Sequence, residues 1–389
     1  MTPPPPETHD LLRAADTLRQ CLGQDKRPLA VFLGAGCPLA IQVRSNGESR
    51  PLIPDIADLT AAILAQLSAG ALADALNELV KGLVEDSGQE PNVEDWLTRL
   101  RSLAAIAGDS TVRGLTAQTI KELEAAITAA IFSIVSVNLP AKAGAYDGLS
   151  AWAGSVVRSH PLTIFTTNYD LLVEQALERH GFAYFDGFVG SSAPFLDTRA
   201  MEDDVLPSRW ARLWKLHGSV NWARLLNGGV VRRAPQGAEE QHLIHPSHLK
   251  YEESRRMPYL AMHDRFRAFL KQASATLVTV GYSFGDDHIN ELIVEGLRGN
   301  SSAVVFGLLY GQMNGYPAAS TLASRCANLT LLATDSGYIG TRMAPWAGVD
   351  AAEAAQSPTR CDLGDFASFA DLLGQLTGIG GSSEDRHRV

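Results

Sequence analysis

Paired cysteines are missing from this chain. Its four, Cys21, Cys37, Cys326 and Cys361, lie too far apart in sequence for a Cys-x-x-Cys knuckle. That removes the commonest zinc spacing and points to reduced thiols. No apolar run approaches the roughly 20 residues of a membrane span. The Pro-rich residues 1–7 lack the basic start and apolar stretch of a secretory leader. A cytoplasmic location, with no membrane contact, is the expectation. Positive charge is scarce as well: 33 Lys and Arg against 43 Asp and Glu leave a net charge of -10. Long-range repulsion disfavours direct binding to a phosphate backbone, and the basic clusters Arg232-Arg233 and Arg255-Arg256 are short. Repeats of solenoid period are also absent.

What is present is a globular composition, 46% hydrophobic over 389 residues, enough to bury one large core or two ordinary ones. Short apolar runs at 28–33, 162–165, 275–280, 303–309 and 329–332 read as buried strands. Helical spacing follows or separates them at 11–22, 55–67, 171–177, 257–273, 286–297 and 366–376, with Asp286 or Asp287 as a cap. This alternation predicts an α/β fold, a doubly wound, mostly parallel Rossmann-like sheet. Residues 69–138 differ in texture. They are rich in Ala, Leu and Glu and carry apolar residues only at helical spacing. They predict an all-helical insertion, serving packing, assembly or a lid. The division expected is therefore an N-terminal helix and tail at 1–27, a core at 28–68 and 139–377, the insertion at 69–138, and a polar tail at 378–389.

Several connections are also predicted. Residues 45–50 read as a mobile loop. Residues 187–208, with Asp197, Glu202, Asp203 and Asp204, read as a long loop without regular period. Residues 212–226 read as a strand pair, with Gly228-Gly229 turning into 230–232. His242, His245 and His248 are spaced by three, but they share no helix register and read as loop residues rather than metal ligands. His288 reads as a helix-start residue that caps or faces the site.

Four segments carry chemistry. Gly34-Ala35-Gly36-Cys37 follows a strand and precedes Pro38, which suits a first helical turn. Its glycines allow a diphosphate close to the backbone, and a helix N-terminus attracts that charge; a tight strand–helix turn would need the same residues. Leu39 stands where the usual third fingerprint glycine would be. Thr166-Thr167-Asn168-Tyr169-Asp170 ends the second strand, where open α/β sheets place ligands. Asn168 offers a donor and an acceptor together, and an Asn here also commonly caps a helix. His217 stands in an apolar strand beside Gly218, either as a proton acceptor or as a satisfied core histidine. Gly281-Tyr282-Ser283-Phe284-Gly285 is a second strand-end turn offering amides and a hydroxyl.

In order and spacing these segments resemble the sirtuin superfamily, above all the sirtuin-like NAD-destroying domains of prokaryotic antiphage defence. The resemblance spans about residues 31–309, interrupted by the insertion. It implies Asn168 and His217 as the catalytic pair. Gly34, Ala35, Gly36, Cys37, Thr167, Asp170, Gly281 and Ser283 would contact NAD, which is expected as substrate. Cys37-Pro38 replaces the family's early Ser and puts one phosphate contact in question. Residues 218–280 contain no cysteine, so the four-cysteine zinc module of the protein deacylases is absent and no zinc is expected. The resemblance therefore implies NAD+ hydrolysis to nicotinamide and ADP-ribose by the toxic effector of an abortive-infection system. NAD-dependent deacylation is an alternative, and so is a non-catalytic NAD or ADP-ribose sensor. It also implies a homo-oligomer and a separate partner, a HerA-type ATPase/translocase before a short Argonaute.

Overall fold

The structure, a computed structural model, describes residues 8–45, 47–108, 110–203, 205–233, 241–244, 257–347 and 360–377. In chain order the strands are β1 (Leu29–Leu33), β2 (Gln42–Ser45), β3 (Glu48–Pro51), β4 (Leu162–Thr166), β5 (Tyr184–Phe185), β6 (Phe188–Val189), β7 (Phe195–Leu196), β8 (Ala211–Lys215), β9 (Gly218–Arg224), β10 (Val230–Arg232), β11 (Gln241–Ile244), β12 (Thr276–Val280), β13 (Val304–Leu308), β14 (Leu329–Leu332), β15 (Ser336–Ile339) and β16 (Arg342–Pro345). The helices are α1 (Leu11–Leu22), α2 (Ile56–Leu67), α3 (Ala73–Ser87), α4 (Val93–Ala107), α5 (Ala117–Val135), α6 (Ala145–Ser155), α7 (Leu172–Arg179), α8 (Thr198–Asp203), α9 (Tyr259–Leu270), α10 (Asp287–Gly299), α11 (Pro317–Ala323) and α12 (Phe366–Thr377).

β1, β4 and β12 are buried at every position, as strands covered on both faces must be. They form the centre of a nine-stranded sheet of order β16-β15-β14-β13-β12-β1-β4-β8-β5. The pairs from β5 to β14 run parallel, and β15 and β16 add an antiparallel edge. Alternate residues face opposite sides. Val31, Leu33, Ile164 and Val278 share one core with α1, α6, α7 and α12. Ala30, Phe32, Phe165 and Leu277 share the other with α9 and α10. This is the doubly wound, mostly parallel Rossmann-like arrangement.

The three helices α3, α4 and α5 lie in the part of the chain expected to be an insertion. Asn92 opens α4 with a reciprocal capping box: its side chain accepts from the Glu94 and Asp95 amides, and Asp95 accepts from the Asn92 amide. The buried stripes of these helices, including Leu76, Trp96, Leu100 and Ile127, belong to the same hydrophobic core as one face of the sheet. The helices therefore pack onto the sheet without a separate core.

Four expectations are corrected. Residues 45–50 lie in the hairpin β2–β3, where Gly47 stands at φ +86. Its sequence Asn46-Gly47 is a hairpin-turn signature. Residues 187–208 contain β6, β7 and α8, and Phe188 and Met201 anchor them in the second core. Residues 211–224 hold two strands that do not pair. β8 joins the large sheet beside β4, while β9 enters a five-stranded sheet of order β11-β9-β10-β7-β6. The chain changes course at Gly218, φ +91, a region glycine enters freely. His242 stands in β11 rather than in a loop. His245, His248, Asp204, Arg255, Arg256 and the tail at 378–389 lie outside the described residues. The Gly228 turn between β9 and β10 stands as expected, with Gly228 at φ +81.

Candidate active site

Across the large sheet the order β8-β4-β1-β12-β13-β14 reverses its direction of growth at β1. In such folds the ligand crevice lies outside the carboxyl ends of the strands at this reversal. Two turns meet there. The Gly34 amide donates to Val280 O at 2.9 Å, and the Gly36 amide to Gly281 O at 2.8 Å. A Cβ on Gly34 would stand 2.3 Å from Gly281 O, and one on Gly281 would stand 2.6 Å from Cys37 N. Gly281 is also at φ +65. The glycines therefore dock one turn on the other. The amides of Gly34, Gly36 and Cys37 are all engaged within the protein. Among the described residues the exposed Ala35 has its amide unbonded.

The chain after Cys37 does not enter an α-helix. It makes a three-residue 3-10 turn, Pro38–Ala40, and passes into β2. The helix-terminus attraction expected of this turn is thus missing, because the macrodipole needs a helix of several turns. Cys37 itself is buried, its thiol directed at Val280 O at 3.3 Å. Burial pushes that thiol well up, and Asp170 adds to the rise. It is inert packing rather than a nucleophile.

The Thr166 hydroxyl donates to Leu33 O at 2.8 Å and accepts from the Asn168 amide N–H at 3.0 Å. Asn168, 8% exposed, donates its side-chain NH2 to Gly34 O at 3.0 Å. It does not cap α7. Its amide oxygen bonds nothing among the described residues. The Tyr146 hydroxyl lies beside it, buried with no hydrogen-bond partner among the described residues. Burial raises the Tyr146 phenol strongly, Asp170 and Cys37 add to this, and the Asn168 amide opposes it. Thr167 is half-buried and Ser283 is exposed.

Asp170 turns back on its own helix, accepting from the Leu172 amide at 3.0 Å. Beneath it Lys215, 2% exposed, donates to the Asp170 carbonyl and to Glu174 Oε1, the latter at 2.9 Å. Burial raises both carboxyls, and the Lys215 charge opposes the rise. This buried pair pins the 167–170 turn from below.

His217, 8% exposed, places Nε2 3.0 Å from Asp286 Oδ2. Asp286 is the N-cap of α10, and its Oδ1 accepts from the His288 and Ile289 amides. Tyr282 donates to Asp286 O, and Asn290 donates to Phe284 O at 2.8 Å. These bonds hold Phe284 at φ +58. Among the described residues His217 Nδ1 has no hydrogen-bond partner. His263 of α9 stands beside His217. Burial pushes its pKa down to about 3, and the His217 charge adds to the fall.

Asn168 and His217 leave from one bracket of backbone. Leu216 N donates to Thr166 O at 2.8 Å before them, and Val220 N to Tyr169 O at 3.0 Å after them. Both side chains then reach the paired turns at the switch point, one to Gly34 and the other to Asp286. Tyr169 packs toward α4. Burial raises its phenol most, Glu94 adds to the rise and Arg101 opposes it. The insertion therefore flanks this edge. Two surface depressions lie elsewhere, on the insertion around Leu79, Leu83, Arg99 and Arg113. Among the described residues no group of three or more His, Cys, Asp or Glu is placed to hold a metal ion, and no helix is long and apolar enough to cross a membrane.

Residues 162–325 match the SIR2-like domain. No curated protein sequence matches the chain. Among solved structures, a Sir2 point mutant with a p53 peptide and NAD aligns at 10% identity and TM-score 0.38, covering 94% of this chain and 99% of that one. A structure from work on the mechanism and regulation of Sir2 enzymes aligns at 10% identity and TM-score 0.36, covering 78% and 87%. Superpositions this loose carry no residue-by-residue correspondence.

The SIR2-like match contains Asn168, His217, Gly281, Ser283 and Asp286, while Gly34–Gly36 lie before it. Sequence reasoning assigned Asp286 only a capping role and assigned Tyr146, Lys215 and His263 none. The acidic pair after the Gly281 turn was the one available signal for Asp286. Nothing local marks Tyr146 or His263, whose neighbours come from strands distant in sequence.

Proposed function

We propose that this chain is an NAD+ glycohydrolase, cleaving NAD+ to nicotinamide and ADP-ribose. The observation that carries the proposal is the pair Asn168 and His217. Each keeps one nitrogen or oxygen unbonded, and both reach the switch-point turns from adjacent strand ends. The SIR2-like match over this stretch supports the choice of NAD+ as substrate.

In the reaction the bond between C1′ of the nicotinamide ribose and the ring nitrogen breaks, and its electron pair leaves with nicotinamide. A water oxygen bonds to C1′, and the water's proton passes to His217 Nδ1 and then to solvent. Asn168 Oδ1 accepts from that water or from a ribose hydroxyl. The unbonded Ala35 amide is the donor that the first turn retains for the diphosphate. Asp170 acts through the turn that it and Lys215 hold, rather than by touching the sugar.

Nicotinamide release measured for Asn168→Ala and His217→Ala tests the proposal. Each should lose about 100-fold or more in kcat while remaining folded, as judged by a cooperative thermal melt. Release at the wild-type rate from both variants removes the catalytic roles of the pair. Turnover of an acyl-lysine peptide would instead indicate a deacylase, and tight NAD+ binding without release would indicate a sensor.

The order of the four motifs also supports a role as the toxic effector of an antiphage system, assembled as a homo-oligomer partly through residues 69–138 and paired with a HerA-type ATPase. Light scattering at micromolar concentration tests the assembly, and a monomeric mass refutes it.

A further inference from the structure

We propose that Asp286 is a positioning residue that fixes the His217 imidazole and sets which ring nitrogen is the base. This rests on the proposed hydrolysis and deepens it.

The Asp286 carboxylate divides its oxygens between two duties. Oδ1 accepts from the His288 and Ile289 amides in the first turn of α10, and Oδ2 faces His217 Nε2 at 3.0 Å. A carboxylate oxygen has only lone pairs to present. If Nε2 also carried its lone pair, the two would repel at this distance. The proton therefore sits on Nε2 and the basic lone pair on Nδ1, the nitrogen left unbonded among the described residues. When His217 takes a proton, the same carboxylate stabilises the imidazolium.

The placement is constrained from both sides. Asp286 enters from the turn after β12 and His217 from the end of β8, with β4 and β1 between them. Three strand spacings amount to about 14 Å, so the contact arches over the carboxyl ends of the two central strands. The Tyr282 and Asn290 bonds hold the backbone around Asp286. His263, kept neutral by burial, adds no positive charge beside the imidazole as it charges.

Asp286→Asn separates this role from folding. Asn caps helices as well as Asp does, so α10 keeps its start. Its NH2 then faces Nε2 as a donor, which pulls the lone pair to Nε2 and puts the proton on Nδ1. In the full-length protein, kcat for nicotinamide release should fall about 100-fold to 10000-fold with KM within about threefold. On a His217→Ala background the same change should add nothing, because the two residues act as one unit. Nitrogen-15 histidine spectra should show the proton on Nε2 of His217 in the wild type and on Nδ1 in Asp286→Asn.

An unchanged His217 tautomer in Asp286→Asn overturns the inference. So does a loss that multiplies with His217→Ala. If the wild-type protein releases no nicotinamide, the hydrolase reading fails, while the spectra still decide the role of Asp286.

Discussion

Acidification from about pH 7.5 to about pH 5 should remove about 2 kcal/mol of stability through His263 alone. The side chain is 7% exposed and its Nε2 is buried without a hydrogen-bond partner. Burial lowers its pKa to about 3 from the ordinary histidine value of 6.5. The neighbouring charges are those of His217, His288 and Arg267, which push the same way, and Asp286, which opposes them. Because the folded value lies below the unfolded one, this stability is fully present above about pH 6.5. It is lost as pH falls, at about 1.4 kcal/mol per pH unit once the unfolded histidine is fully protonated. The assay is urea unfolding at several pH values for the wild type and for His263→Gln, which cannot charge. The difference between the two curves should shrink by about 2 kcal/mol over this range, since the titrations of the other histidines largely cancel. A difference that stays constant to within about 0.5 kcal/mol refutes the account, because it would mean that His263 takes up its proton as easily folded as unfolded.

Gly34→Ala should destabilise the protein by about 3 kcal/mol in thermal or urea melts, because the new Cβ meets a carbonyl oxygen at 2.3 Å that cannot move without undocking the Gly281 turn. Lys215→Met should cost about 3–5 kcal/mol by leaving the Glu174 carboxylate buried and alone. Adding Glu174→Leu to that variant should restore most of the loss in denaturant titrations.

The parallel centre of the fold is legible in the sequence because each strand there is an unbroken apolar run with a turn at its end. Asn168 is legible for the same reason, since it follows such a run, whereas the strand before His217 carries Arg212 and Lys215. The weaker elements are not. α6 is built from small residues, Ala145, Gly148, Ser150 and Ala153, that give little periodic contrast, although its buried Trp152 and Tyr146 hold it in place. β16 carries exposed Arg342 and Met343 at the sheet edge, so burial leaves little pattern on it. β8 and β9 join different sheets through pairings with strands outside the pair, β4 and β5 for β8 and β10 and β11 for β9. The contact between His217 and Asp286 joins residues separated by two strands in the sheet, and no local rule reports it.

One stretch of chain links two layers of this protein. Lys215 ends β8 in the large sheet, Gly218 begins β9 in the small sheet, and His217 lies between them. The imidazole thus sits at an elbow with a glycine at φ +91 as its pin. Val220 N and the Ser219 hydroxyl, both in β9, donate to Tyr169 O at 3.0 Å and 3.3 Å, so a shift of the small sheet would pull on the Asn168 turn and on His217 together.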